Sequence, residues 1–210
     1  MPEKYLLETR AVPPFYKNGY LLACAQTGET VLIDPGDEVQ ELAAVADRRN
    51  WTVKYILLTH AHMDHITGVD FAKRRYSVPI FLHKDDEFLY TGLAQQGEWF
   101  GVRLSAPPPV DKYFSDGGTV EWGKLKAEVI HTPGHSPGGV CLKLDNLVIA
   151  GDTLFAGSIG RTDLPGGDAT TLIRSIKTRL LPLPDHVIVY SGHGPETTIG
   201  QERRTNPYLN

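Results

Sequence analysis

Apolar residues along this chain come in short runs divided by turn-forming clusters, and the runs alternate between two periods. Residues 5–9, 20–26 and 30–33 are apolar or alternating and are separated by Asn18-Gly19 and Gly28-Glu29, which predicts strands entered by hairpins. Val39, Leu42, Ala43, Val45 and Ala46 recur at helical spacing and predict a helix over 38–49. A buried strand over 53–58, a helix over 66–75 and a short strand over 79–82 then give alternating α/β order. A short helix is expected over 84–90, whereas 91–118, with Trp99, Phe100 and Pro107-Pro108-Pro109, has no period and reads as a long irregular connection. Two readings of that stretch stand: one wall of a substrate cleft, or a surface loop whose aromatics rest on the core. After Gly118 strands are expected over 119–122, 125–130, 140–144, 147–150 and 187–190, with a helix over 170–181 ended by Pro182 and Pro184. Strands followed by helix and strand, twice over, predict a two-sheet sandwich with two helix layers, in a single domain over 1–210 built from approximate halves, 1–118 and 119–210.

The chemistry clusters where runs end. His60, His62, Asp64 and His65 fall within six positions just after the run Tyr55-Ile56-Leu57-Leu58. Imidazoles two positions apart can face one point from an extended or turning backbone but not from a helix, where neighbours lie three or four apart. Surface histidines with Asp64 as a helix N-cap are the plainer alternative, and the density beside a strand end argues against it. Three later runs end in the same manner. One leads through Thr132-Pro133-Gly134 to His135, another through Gly151 to Asp152, and a third through Ser191-Gly192 to His193. Each alone is an ordinary turn residue. The seven together suit two adjacent divalent ions, zinc first, with iron or manganese as alternatives, over calcium or magnesium. One division assigns His60, His62 and His135 to the first metal and Asp64, His65 and His193 to the second, with Asp152 bridging through its two oxygens. Metals ~3.5–4 Å apart share a water and hold it as hydroxide near neutral pH. His83, His131 and His186 are expected to be structural. Asp34 either orients a ligand histidine from behind or serves a turn with Pro35-Gly36.

Composition narrows the partners. The chain has 210 residues, 41% of them hydrophobic, which suffices for a sizeable core. With a net charge of −4 and no basic run longer than Lys73-Arg74-Arg75, nucleic acid is not an expected partner. No apolar run approaches the ~18 residues of a membrane span, so no membrane partner and a cytoplasmic location are expected. Cys24 and Cys141 lie in strand-like runs, without a Cys-x-x-Cys, and read as reduced core residues.

The segments Thr59-His60-x-His62-x-Asp64-His65, Thr132-Pro133-Gly134-His135-Ser136-Pro137-Gly138-Gly139, Gly151-Asp152-Thr153-Leu154-Phe155 and Gly192-His193-Gly194-Pro195 resemble the metallo-β-lactamase superfamily over nearly the whole chain. The resemblance implies an α/β architecture, the four-layer αββα sandwich, with the site at one edge between the sheets. Gly157-Ser158-Ile159-Gly160-Arg161-Thr162-Asp163 and the stretch from Glu196 to Tyr208 are most similar to the glyoxalase II branch, in particular its short bacterial type II hydroxyacylglutathione hydrolases, which lack a C-terminal glutathione-binding helical domain. What this implies is thioester hydrolysis. A bridging hydroxide attacks the carbonyl of S-lactoylglutathione or a related hydroxyacyl-thiol, and Asp64 helps orient it. The metal of His60, His62 and His135 stabilises the oxyanion, and a thiolate of pKa ~8.5–9 departs without a strong acid. Where glyoxalase II proper has Gly-Lys-Phe-Tyr to grip glutathione, this chain reads Gly160-Arg161-Thr162-Asp163. Arg161 is therefore either a substrate contact or half of an ion pair with Asp163 or Asp168, and relaxed glutathione recognition is expected. The alternative function is a mononuclear-iron persulfide dioxygenase acting on glutathione persulfide, which the segments His65-Ile66-Thr67-Gly68 and Gly160 to Asp163 also resemble. Those enzymes follow the last histidine with Asp-Tyr, where this chain has Gly194-Pro195.

Overall fold

The alternating runs near the N-terminus form hairpins, as their turn residues require. A computed structural model describes residues 4–209. Strand β1 (Tyr5–Arg10) lies antiparallel to β2 (Gly19–Cys24), and β2 to β3 (Glu29–Ile33). Helix α1 (Val39–Arg49) then carries the chain to β4 (Thr52–Leu57), parallel to β3. Two short helices, α2 (Met63–Ile66) and α3 (Val69–Tyr76), lead to β5 (Ile80–His83), parallel to β4. The face that α1 buries, Val39, Leu42, Ala43, Val45 and Ala46, is the one whose spacing predicts the helix. Most of it joins Leu21, Leu32, Ile56, Ile66 and Val69 in one apolar cluster.

Two expectations in this half need correction. The helix expected over 66–75 is broken, so that Asp64 and His65 lie on α2, a separate helical turn. The break falls at Gly68, whose amide donates to the Pro35 carbonyl (2.9 Å) and whose missing side chain leaves room for Gly36 and Val39. The stretch 91–118 is not irregular throughout. After α4 (Glu87–Thr91) it contains α5 (Leu93–Trp99), and β6 (Lys112–Phe114) adds parallel to β5 at the sheet edge. The buried positions of α5 are Leu93, Gln96 and Gly97, so its inward face is largely polar or small and carries no hydrophobic period.

The second sheet has the order β7-β8-β9-β10-β13-β14. Its strands are β7 (Thr119–Trp122), β8 (Leu125–His131), β9 (Val140–Leu144), β10 (Leu147–Gly151), then, after a small hairpin of β11 (Leu154–Phe155) and β12 (Ser158–Ile159), β13 (Ile188–Ser191) and β14 (Thr197–Thr198). Helix α6 (Ala169–Ser175) runs on into a wider, π-helical turn, Ile176–Leu180, and brings β13 back parallel to β10. Helix α7 (Ile199–Thr205) follows β14. Ile130, Cys141, Val148, Leu172, Ile176, Val189 and Ile199 form the core of this half. The chain divides into two compact units: one runs to Phe114 and takes in the hairpin tip Glu121–Lys126, and the other comprises Ser115–Val120 and continues from Ala127. Cys24 and Cys141 are both buried and unbridged. Among the described residues no helix is long and apolar enough to cross a membrane.

Candidate metal centre

In the first unit β3 and β4 run parallel, so the chain leaves both at the same end of the sheet, and Asp34 N donates to the Leu57 carbonyl (3.0 Å). Asp34 follows β3 with φ +50°, a region that short polar side chains tolerate. Its Oδ1 accepts from Thr59 N (2.7 Å), its Oδ2 accepts from the Thr59 hydroxyl (2.6 Å), and the same Oδ2 lies 3.0 Å from His65 Nδ1. A carboxylate only accepts, so the imidazole proton of His65 sits on Nδ1 and Nε2 is the ring nitrogen that could bind a metal. Thr59 gives its hydroxyl proton to Asp34, so its oxygen accepts from His60 Nδ1 at 3.2 Å, with the same consequence for His60. Asp34 thus orients His65 from behind, while its own backbone turns the chain out of β3.

His60, His62 and His65 are buried, and the His60 ring centroid is 4.9 Å from that of His62 and 4.1 Å from that of His65. Donor atoms of Asp34, His60 and His65 all lie within 4.8 Å of one another. His62, not Asp64, occupies the N-cap position of α2. Asp64 Oδ2 is 3.7 Å from His65 Nε2, too far for a hydrogen bond and suited to two donors around one cation, each ~2.0–2.2 Å from it. Two further side chains reach this loop, Asp86 and Gln96, and nothing in the sequence marks them: one sits in the charged run Lys84-Asp85-Asp86-Glu87, the other in the stretch without a period. The segment after α5 borders a cavity of about 190 Å³ lined by Ile66, Thr67, Leu93, Arg103 and Leu104 among others. Trp99 and Phe100 are each 50% exposed, so they are not core residues.

The second unit offers His135, Asp152 and His193. Gly151 pairs with Ser191 across the parallel strands β10 and β13, and Gly192 N donates to the Gly151 carbonyl (2.8 Å), so Asp152 and His193 emerge from adjacent strand ends. Asp152 Oδ2 is 3.6 Å from His135 Nε2 and 3.7 Å from His193 Nε2. His135 Nδ1 donates to the Arg161 carbonyl (2.7 Å), so Nε2 is again the ring nitrogen that could bind a metal. That carbonyl comes close because residue 160 is glycine: a Cβ there would overlap the Asp152 carbonyl oxygen and stand 3.0 Å from His135 Nδ1. The preceding hairpin is tied to α7. Buried Glu202 accepts from Gly157 N (2.9 Å), the Thr197 hydroxyl (2.6 Å) and Asn206 Nδ2 (2.8 Å), and Asn206 Nδ2 also donates to the Ser158 carbonyl (3.0 Å).

The Arg161 side chain is engaged by Asp163 through two bonds of 2.7 Å, Nε to Oδ1 and a terminal nitrogen to Oδ2. The Arg161 guanidinium, first among several causes, draws the Asp163 carboxyl down to about 2. Asp168 instead caps α6 by accepting from Thr171 N (2.6 Å). The Arg161 carbonyl also orients His135, which side-chain identity could not reveal. His131 Nε2 lies 2.9 Å from the Pro137 carbonyl, His83 accepts from Asp85 N (3.3 Å), and His186 is exposed. In each unit, then, buried or half-buried imidazoles and a carboxylate oxygen form a donor set that fits zinc, iron or manganese.

Comparison with known proteins agrees with this chemistry. Residues 12–193 match the metallo-β-lactamase superfamily. The hydroxyacylglutathione hydrolase GloC of Haemophilus influenzae is 41% identical over 184 residues, 85% of this chain and 86% of that one. The crystal structure of the BLEG-1 B3 metallo-β-lactamase covers 98% of this chain and 100% of its own at 39% identity, with a TM-score of 0.91. That of TTHA1623 in a di-iron-bound form covers 96% of this chain and 100% of its own at 40% identity, with a TM-score of 0.87. By sequence, by its mixed α/β fold and by its His and Asp clusters, the chain belongs to the metallo-β-lactamase superfamily, as a metal-dependent enzyme of the glyoxalase II-like branch.

Proposed function

We propose that the chain is a dinuclear metal-dependent thioesterase acting on S-lactoylglutathione or a related hydroxyacyl-thiol. His60, His62 and His135 would hold one divalent ion and Asp64, His65 and His193 the other, and the Asp152 carboxylate would serve both. Zinc is the first expectation, with iron or manganese as alternatives. The observation that carries this reading is the anchoring of His60, His65 and His135 through Nδ1, which makes Nε2 the ring nitrogen able to ligate, beside carboxylate oxygens 3.6 to 3.7 Å from Nε2 of His135, His65 and His193. Identity of 41% to a hydroxyacylglutathione hydrolase supports the substrate class, and a di-iron-bound neighbour at 40% identity supports the count of two ions.

Bound there, the ions would supply hydroxide from a shared water near neutral pH and polarise the thioester carbonyl. The chain's own residues do the rest. Asp34, Thr59 and the Arg161 carbonyl keep three imidazoles in the ligating tautomer. Asp64 orients the attacking oxygen toward the carbonyl carbon. The new C–O bond forms, the C–S bond breaks, and its electron pair leaves with the sulfur. A thiolate of pKa ~8.5 departs without a dedicated acid, and the acid formed loses its proton to solvent.

Protein purified without chelator should carry two metals per chain and release thiol from S-lactoylglutathione, and Asp152→Ala should remove the activity together with most of the metal. One iron per chain with oxygen uptake on glutathione persulfide would refute this reading. So would opening a β-lactam, the chemistry named for the neighbour at 39% identity, faster than any thioester.

A further inference from the structure

We propose that the cavity beside α2 receives the glycine end of a glutathione-type thiol and that Arg103 binds its carboxylate. The inference rests on the hydrolase reading above and names what recognises the thiol half of the substrate. The Arg161 guanidinium is occupied with Asp163, so it is not the free cation that an acidic thiol calls for. Arg103 is free. Among the described residues no carboxylate pairs with its guanidinium, and Asp70, the one acid of the cavity lining, is paired with Arg74 four residues on. Residues 102–111 have no regular structure, yet the stretch that carries Arg103 is pinned on both sides. Val102 N donates to the Gly97 carbonyl (2.8 Å), and the Tyr90 hydroxyl donates to the Pro108 carbonyl (2.7 Å). Between these bonds Leu104 packs on the core cluster and against Gly97, where a Cβ would stand 3.1 Å from its Cγ. Arg103 and Ser105, on either side of Leu104, are exposed and line the cavity. The guanidinium is thus carried on a fixed piece of main chain, which lowers the entropy lost on binding.

A second wall joins the cavity to the turn that bears Asp64 and His65. Thr67, the C-cap of α2 with helical torsions (φ −57°, ψ −30°), lines the cavity, and Asp64 lies three positions before it. Residues three apart on a helix are neighbours on one face, with ~5–6 Å between Cβ atoms. A cysteine followed by a glycine spans ~7 Å when extended, so a thiol whose sulfur lies by Asp64 brings its terminal carboxylate to the cavity. The two ends of glutathione differ in charge. The glycine end is a bare carboxylate, whereas the γ-glutamyl end carries an ammonium beside its carboxylate, which a guanidinium repels. The size agrees with one end rather than the whole tripeptide: the cavity is about 190 Å³, while sites that enclose a drug-sized ligand run to ~300–1,000 Å³. Buried Ile66 and Leu93 form its apolar part, and an ion pair beside them is screened less than one in open water.

The probe is S-methylglutathione, which has no free thiol to bind a metal, added to the zinc-loaded full-length protein. Amide shifts at Thr67, Leu104 and Ser105 are expected for wild type, and ~5–20-fold weaker binding for Arg103→Met. Arg103→Lys keeps the charge and loses the forked geometry, so its affinity should fall between the two. Kinetics gives the second readout. Against S-lactoylglutathione, Arg103→Met should raise KM ~5–20-fold with kcat within about twofold, and it should no longer prefer that substrate to its C-terminal amide. A merely structural arginine would lower the melting temperature and penalise both substrates alike, and that outcome overturns the proposal. So does equal affinity of wild type and Arg103→Met for S-methylglutathione, or a set of shifts that misses residues 103–107. Failure of the hydrolase reading shows separately, as wild type that binds S-methylglutathione in the cavity and cleaves no thioester.

Discussion

Asparagine at position 34 is the sharpest probe of the network behind the histidines. Asp34→Asn keeps the shape of the side chain and an acceptor for Thr59 N (2.7 Å), but it puts an NH₂ group where Oδ2 now accepts from the Thr59 hydroxyl (2.6 Å) and from His65 Nδ1 (3.0 Å). The hydroxyl can turn and accept from the new amide. His65 adapts only by moving its ring proton from Nδ1 to Nε2, the atom that metal ligation needs. Bonds to a charged acceptor contribute ~1.5–3 kcal/mol each, and a neutral replacement at Thr59 returns ~0.5–1.5 kcal/mol. The metal-free protein therefore loses ~1.5–5.5 kcal/mol, less whatever is regained by no longer burying a carboxylate that is 1% exposed. For the ion held by His65, loss of the orienting partner amounts to ~10–100-fold in affinity, or ~1.4–2.7 kcal/mol. Urea unfolding of the metal-free protein reads the first quantity, and chelator competition on folded protein reads the second. If affinity for both ions stays within about twofold of wild type while stability drops, Asp34 is a turn residue alone and the tautomer argument is wrong.

Two other outcomes follow from the same geometry. In Gly160→Ala the added methyl meets the Asp152 carbonyl and lies 3.0 Å from His135 Nδ1, so the 160–161 backbone shifts and the Arg161 carbonyl leaves His135. Overpacking at ~1–3 kcal/mol and the lost bond at ~0.5–1.5 kcal/mol together predict ~1.5–4.5 kcal/mol less stability in urea, and an unchanged midpoint counts against the close approach. Burial, opposed by hydrogen bonds to Thr132 and Thr153, pushes the Cys141 thiol up from 9.0 to about 11. A raised folded-state value means that its contribution is complete below pH 9 and is lost as pH rises through 11, so unfolding free energy should fall across that window. Cys141→Ala should flatten part of the slope, and identical slopes in the two proteins would show that the thiol ionises equally in both states.

Strands and candidate ligands are legible in this sequence because both depend on side-chain identity in order. An apolar run marks a buried strand, and the residue that follows its carboxyl end is placed by the strand before it, as Asp152 is by β10 and His193 by β13. The supports are legible only in part, for a physical reason that differs from case to case. Arg161 acts through a carbonyl that every residue has, and its informative side chain is occupied with Asp163. Gln96 lies on a helix whose buried face also includes Gly97, and Glu202 on one whose buried face includes Gly200, so neither helix shows the apolar period by which helices are recognised. The helix expected over 66–75 breaks at Gly68, the point where Gly36 approaches. The cases of Gln96 and Glu202 share a cause. A buried polar residue that bonds the main chain of a ligand loop must interrupt the hydrophobic pattern of its own element, since it takes an inward position that packing alone would fill with leucine or valine. Neither Gln96 nor Glu202 is therefore marked in the sequence, and each is found by its bonds.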